Sequence, residues 1–299
     1  MVPTDFSRAS QEALEVAHSL GKQFRAALHL VHVVEPEQPM ADLVAMPLIV
    51  PAIEFRRRVR RHLRDVAHRH GISLANIHVA RGRPFEEICR LAKKCGIDLI
   101  VTATRGQTGF KHFALGSTAE RVVRHSSSPV LVVPARGREK FRRNGHETAA
   151  SFGKILVPID FSDCSMKGLA YAKVLAKHFG AKLVLLHSVA LRYYVASDEY
   201  ARYDLPILMQ QVERAAQKQL HDLVEKTDGD GIEVESSLQI GHAGEQVCAR
   251  AKEARADVIV TSTHGATGLK HVLLGSTAEY IVRHAQRPVL VVPDRERRY

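Results

Sequence analysis

Apolar residues in this chain fall into two alternating kinds of segment. Short runs with no polar interruption, such as 130–133 and 289–292, read as strands buried on both faces, because a sheet with one wet face would alternate. Between the runs, apolar residues recur at helical spacing: Ala9, Ala13, Val16, Ala17 and Leu20; Phe55, Val59, Leu63 and Val66; Leu169, Ala172, Val174, Leu175 and Phe179. Gly21 and Gly180 predict where the first and third of these helices stop. Further strands are predicted at 27–34, 73–80, 182–189 and 232–239, with helices at 51–70, 84–94, 206–226 and 243–254. The order βαβαβαβαβ occurs twice. Strands fed by helices through right-handed crossovers predict an α/β fold, a doubly wound parallel sheet in each half.

The two halves are copies. Residues 98–134 and 257–293 align without gaps, with 25 of 37 positions identical. Each copy runs strand, glycine loop, helix, proline, strand. Ser117 with Glu120, and Ser276 with Glu279, have the spacing of a capping box, which predicts that each serine caps its helix. At the other end, residues 2–7 match 157–162. The second unit has its whole first strand at 154–157, whereas the first unit begins in the middle of the corresponding strand. The expectation is therefore that a native start lies upstream. The domains expected are 1–134 and 154–294, joined by a charged linker at 135–153 with no apolar period of its own.

Composition narrows the function. A chain of 299 residues suits two domains, each able to bury a core. No apolar run approaches the ~20 residues of a membrane span, and the N-terminus lacks signal-peptide character, so a cytoplasmic address is expected. The four cysteines form no Cys-x-x-Cys pair and are expected to be buried, reduced thiols, Cys89 and Cys248 on the apolar sides of corresponding helices. Of the net charge of +11, five charges fall in 54–70 and four in 136–143. One helix face and one linker thus hold most of the excess, with no aromatics interleaved, and nucleic acid is disfavoured as a partner. Among the 17 histidines, His29 and His32 alternate on one strand but only His32 recurs, as His187, which speaks against a metal pair there.

The chemistry sits in the repeated loops. Gly106, Gly109 and Gly116 precede Ser117 and Thr118, and Gly265, Gly268 and Gly275 precede Ser276 and Thr277. Glycines let backbone amides close on an anion, and a helix start adds its dipole. Lys111 and Lys270 add charge to these loops, and His112 and His271 recur in them. Asp5 and Asp160 follow the first strand of each unit, beside the switch-point crevice, where a carboxylate can accept from a ribose or a base edge. The competing role for these aspartates is helix capping, with Ser7 or Ser162 nearby.

The sequence Pro-[Thr/Ile]-Asp-Phe-Ser, then Leu-x-His, then Gly-x9-Gly-Ser, then Pro-Val-Leu-Val-Val-Pro, resembles the universal stress protein family as a tandem pair. The resemblance implies two Rossmann-like domains, each a five-stranded parallel sheet in the order 3-2-1-4-5, with ATP or another adenine nucleotide, with or without Mg2+, in the crevice. It implies that Asp5 and Asp160 meet the adenosine, that the Val33 backbone meets the adenine, and that Gly106, Gly116, Ser117, Gly265, Gly275 and Ser276 meet the phosphates. Two departures stand out. The first glycine of the family's ATP signature is Ala103 here and Ser262 in the second unit, and the position matching Val33 is Ser188. The resemblance also implies that the last strands pair, within the chain as a pseudo-dimer or between chains as a homodimer.

No Gly-x4-Gly-Lys-[Ser/Thr] loop is present, so ATP turnover is expected to be slow and incidental, and the protein is expected to work through conformation or partner contact in a stress response. The rival reading is a nucleotide-free interaction scaffold that presents the arginines of 54–70.

Overall fold

A computed structural model describes residues 1–35, 52–104, 115–134, 151–189, 201–265 and 274–294. The first unit comprises β1 (Val2–Pro3), α1 (Arg8–Phe24), β2 (Leu30–Val34), α2 (Ala52–Arg69), β3 (Ile77–Arg81), α3 (Pro84–Lys94), β4 (Ile100–Ala103), α4 (Ser117–His125) and β5 (Val130–Val133). The second repeats it as β6 (Lys154–Pro158), α5 (Asp163–Phe179), β7 (Lys182–Val189), α6 (Ala201–Asp228), β8 (Val234–Ile240), α7 (Ala243–Glu253), β9 (Val258–Ser262), α8 (Ser276–His284) and β10 (Val289–Val292). The linker expected at 135–153 lies outside the described residues up to residue 150.

In the second unit the parallel strands run β8-β7-β6-β9-β10. In the first, β3-β2-β1 form one ladder and β4-β5 another. The gap between them is bridged by backbone contacts: the Val101 amide donates to the Met1 carbonyl at 2.9 Å, and the Met1 amino group to the Leu99 carbonyl at 2.7 Å. Because β1 has two residues, β2 begins only at Leu30, opposite Val2, and not at 27 as its apolar pattern predicts. Its counterpart β7 spans eight residues beside a full β6. Partner length sets strand length here, since unpaired backbone groups do not stay in a ladder.

β5 and β10 pair antiparallel, with Leu131 opposite Leu290, so these apolar strands are not open edges. Both strands are buried along their whole length. One core lies between the sheets and α1, α2, α5 and α6; the other lies against α3, α4, α7 and α8. Across the copies, Arg283 donates to Glu120 at 3.1 Å, while Glu120 also pairs with Arg124.

Several local expectations change. Gly21 does not end α1. It sits inside the helix, where an added Cβ would meet Leu28 at 3.3 Å, and the left-handed cap falls on Arg25, φ 50°. Gly180 does cap α5, at φ 62°. Val174 is 64% exposed, on the outer side of α5. Residues 74–76 form a 3-10 turn capped by Ser73, which delays β3 to Ile77, and β8 starts at Val234. The cysteines are free but half-buried. Burial still pushes the Cys89 and Cys248 thiols up to about 11, so both are protonated at neutral pH.

Candidate functional site

The carboxyl ends of the central strands gather the residues that the loops single out. In the second unit β6 ends at Pro158, and Asp160 follows in a tight turn in which its Oδ1 accepts from the Ser162 amide at 3.0 Å and the Ser162 hydroxyl at 2.5 Å. In the first unit Asp5 Oδ1 accepts from the Ser7 amide at 3.0 Å. The caps are the serines: Ser7 Oγ accepts from the Ser10 amide and Ser162 Oγ from the Ser165 amide, each at 3.2 Å. With a serine already holding each helix start, the aspartate is left as the turn residue that faces the strand ends.

The residue after each aspartate was not recognised from sequence. Phe6 and Phe161 adopt left-handed backbone, φ 64° and 62°, although a bulky side chain disfavours it. Phe6 stacks on His32 with centroids 4.6 Å apart, and Phe161 packs on His187 at 4.8 Å. Nδ1 of each histidine lies 2.7 Å from the carbonyl of Thr4 or Ile159. The repeated Leu-x-His and Asp-Phe-Ser were the signal: aromatic packing and a hydrogen bond hold the same strained turn in both copies.

The glycines close the other wall. Gly265 sits against Asp160 so tightly that a Cβ there would lie 2.6 Å from Asp160 Oδ2. The Gly275 amide donates to the Thr263 carbonyl at 2.8 Å, and Gly116 to Thr104 at 2.7 Å, stitching each strand end to the next helix start. Asp160, Gly265, Gly275 and Ser276 are therefore brought together. Gly106, Gly109, Lys111, His112, Gly268, Lys270 and His271 lie outside the described residues.

The capping-box expectation is overturned. Gly116 and Gly275 occupy the N-cap positions and have no side chain with which to cap; Ser117 and Ser276 are the first helical residues, followed by Thr118 and Thr277. Glu120 turns to Arg124 and Arg283, and Glu279 to Arg283. With glycine as the cap, each glutamate falls at the fourth helical position, one residue beyond the capping-box frame. The first-turn amides of α4 and α8 therefore find no side chain on their own cap residue to donate to.

Ala103 ends β4 and is buried in the core that packs under α1, beside Val133 and Val2. Ser262 ends β9, and its hydroxyl donates to the His264 carbonyl at 2.7 Å. Neither substitution of the signature glycine leaves a polar group unpaired. Val33 lies in β2 opposite Ala80; Ser188 lies in β7 opposite Gln239, its hydroxyl donating to the Gly241 carbonyl at 2.9 Å. Cys164, in the first turn of α5, is pushed up to about 11 by burial and then by the Asp294 carboxylate.

Together these features define a class, a tandem doubly wound α/β protein with an aspartate turn and a glycine-led helix start at the strand ends of each half. The sequence profile of the Universal stress protein family matches residues 1–134 and 151–293, and the chain belongs to that family. Universal stress protein MJ0531 of Methanocaldococcus jannaschii is 29% identical over 150 residues, covering 50% of this chain and 85% of the relative. A universal stress protein of Mycolicibacterium smegmatis is 24% identical over 311 residues, covering 99% of this chain and 97% of its own length. In fold, a universal stress protein from Archaeoglobus fulgidus superposes with a TM-score of 0.66 at 24% identity, over 98% of this chain and 94% of that one. No helix among the described residues is long and apolar enough to cross a membrane.

Proposed function

We propose that each unit binds an adenine nucleotide at its strand-end crevice, and that the protein acts in a stress response through nucleotide-dependent conformation or partner contact, without a dedicated reaction. The observation that carries this reading is the closeness of Asp160 to Gly265, a cradle that any Cβ would fill, beside the glycine-led start of α8. The carboxylate would accept from the nucleoside, while the amides and the helix dipole would face phosphate oxygens. Asp5, Gly116 and Ser117 would do the same in the first unit, with the Val33 backbone against the base. A magnesium ion, where present, would arrive with the phosphates. The β5–β10 pairing supports reading the tandem copies as an internal pseudo-dimer, with domains at 1–134 and 154–294.

Titration calorimetry of ATP and AMP against the wild type and a Gly116→Val, Gly275→Val double variant tests the site. Heat in the wild type that disappears in the variant supports it; equal heats, or none in either, remove it. A phosphate-release assay is expected to stay at background.

The exposed row Arg57, Arg58, Arg60, Arg61 and Arg64 on α2 favours a second reading, a scaffold that contacts an acidic partner without nucleotide. Changing those arginines to glutamine would then abolish partner capture, and added nucleotide would change nothing.

A further inference from the structure

Residues spread over 67 positions of the first unit converge on the face of the sheet covered by α3. His29 immediately precedes β2. His78 lies in β3, in register with Val31, two residues along from His29 and so on the same face. Cys95 caps the end of α3, its amide donating to the Leu91 carbonyl at 2.9 Å before Gly96 turns the chain away at φ 61°. Nδ1 of His29 is 3.0 Å from Nε2 of His78, and a ring nitrogen of each histidine and the Cys95 sulfur all lie within 4.8 Å of one another.

We propose that His29, His78 and Cys95 form a binding site for a zinc-type divalent transition-metal ion in the first unit. Two imidazole nitrogens and a thiolate are the donor set such an ion prefers in tetrahedral geometry, with a fourth position left for water or an external ligand. At zinc–nitrogen distances of about 2.0–2.1 Å and zinc–sulfur of about 2.3 Å, tetrahedral ligand atoms stand roughly 3.3–3.6 Å apart. The two nitrogens therefore need to part by a few tenths of an ångström, with the ion in place of the hydrogen now between them and that hydrogen moved, by exchange with solvent, to the other nitrogen of its own ring. Binding releases the Cys95 thiol proton to solvent. Lys94 lies near His78 and opposes a cation; the thiolate offsets it. All three side chains are half-buried, enough to be held and still reachable, and His78 also lines an open groove of about 470 Å³.

The second unit supplies the comparison. With His32 aligned on His187, His29 corresponds to Val184. The register that sets His78 opposite Val31 sets Ser237 opposite Leu186, and the helix cap matching Cys95 is Ala254. All three donors occur together in one copy, and none of them in the other. The partner of His29 is on the neighbouring strand β3, and not at His32 along β2.

Cobalt(II) titration of the full chain, metal-stripped and reduced, is expected to give one equivalent bound with a sulfur-to-cobalt charge-transfer band and tetrahedral ligand-field absorption. Zinc should displace it. The triple variant His29→Val, His78→Ser, Cys95→Ala carries the second unit's own residues and is expected to lose both signals. If it fails to fold, the single variant Cys95→Ala is expected to lose the charge-transfer band. In the wild type, zinc should also protect Cys95 from alkylation, mapped by peptide mass, while leaving Cys89 and Cys164 unchanged. Absence of binding, a band that survives Cys95→Ala, or equal Cys95 alkylation with and without zinc overturns the proposal.

Discussion

The sharpest test of the crevice is Gly265→Ala. Backbone strain plays no part, because Gly265 does not occupy the left-handed region. The methyl group would instead arrive 2.6 Å from Asp160 Oδ2, well inside van der Waals contact. Asp160 cannot yield freely, since its other oxygen accepts from both the amide and the hydroxyl of Ser162. The carboxylate must rotate away and surrender those bonds, or the loop must move. In either case the group that would receive the nucleoside is displaced. A hydrogen bond to a charged group is worth about 1.5–3 kcal/mol, which at about 1.4 kcal/mol per decade predicts roughly 10- to 100-fold weaker binding in the second unit. The first unit, whose corresponding glycine is Gly106, keeps its affinity. Calorimetry should therefore turn two similar sites into one intact and one weak, with the melting temperature lowered as the Asp160–Ser162 hydrogen bonds are given up. Asp160→Asn, which keeps the volume and removes the charge, should weaken the same site. If the wild type binds two nucleotides and Gly265→Ala binds them equally well, Asp160 is not the contact and the reasoning fails.

Three further outcomes are expected. Ser162→Ala should lower stability by about 1 kcal/mol through loss of the cap on α5, while Ser276→Ala, at an uncapped first position, should stay within about 0.5 kcal/mol; denaturant midpoints separate the two, and equal losses would contradict the cap assignment. Gly244→Ala would set a methyl 2.7 Å from the Tyr280 ring, where α7 crosses α8, and should cost about 1–3 kcal/mol by overpacking, read as a lower melting temperature. His18, His29, His70 and His78 are all lowered from their ordinary value, first by burial and then by facing cations or histidines. A base lowered in the folded state binds more protons when unfolded, so its contribution is complete above the unfolded value of about 6.5 and is lost as pH falls through it toward the folded values. Melting temperature in the presence of chelator should fall between about pH 7.5 and 5.5, and a flat or rising profile in that window would refute the assignment.

The duplication, the α/β alternation and the aspartate turn could all be read along the chain, because each is written in residues close in sequence. Unbroken apolar runs mark strands covered on both faces, helical spacing marks the layers above them, and 25 identities in 37 positions mark the copy. What the tertiary structure decided concerns competition and register. Ser117 and Ser276 have capping-box spacing, yet Gly116 and Gly275 hold the cap positions, which leaves Glu120 and Glu279 one residue beyond the box and paired with arginines. The left-handed Phe6 and Phe161 depend on histidines from a neighbouring strand. β5 meets β10 antiparallel, a pairing set by which edges remain to be covered. His29, His78 and Cys95 become neighbours only through strand register and the length of one helix. Local patterns specify which elements form; which side chains meet across them is settled by packing and by the exclusion of unpaired backbone groups, and neither is visible in a one-dimensional pattern.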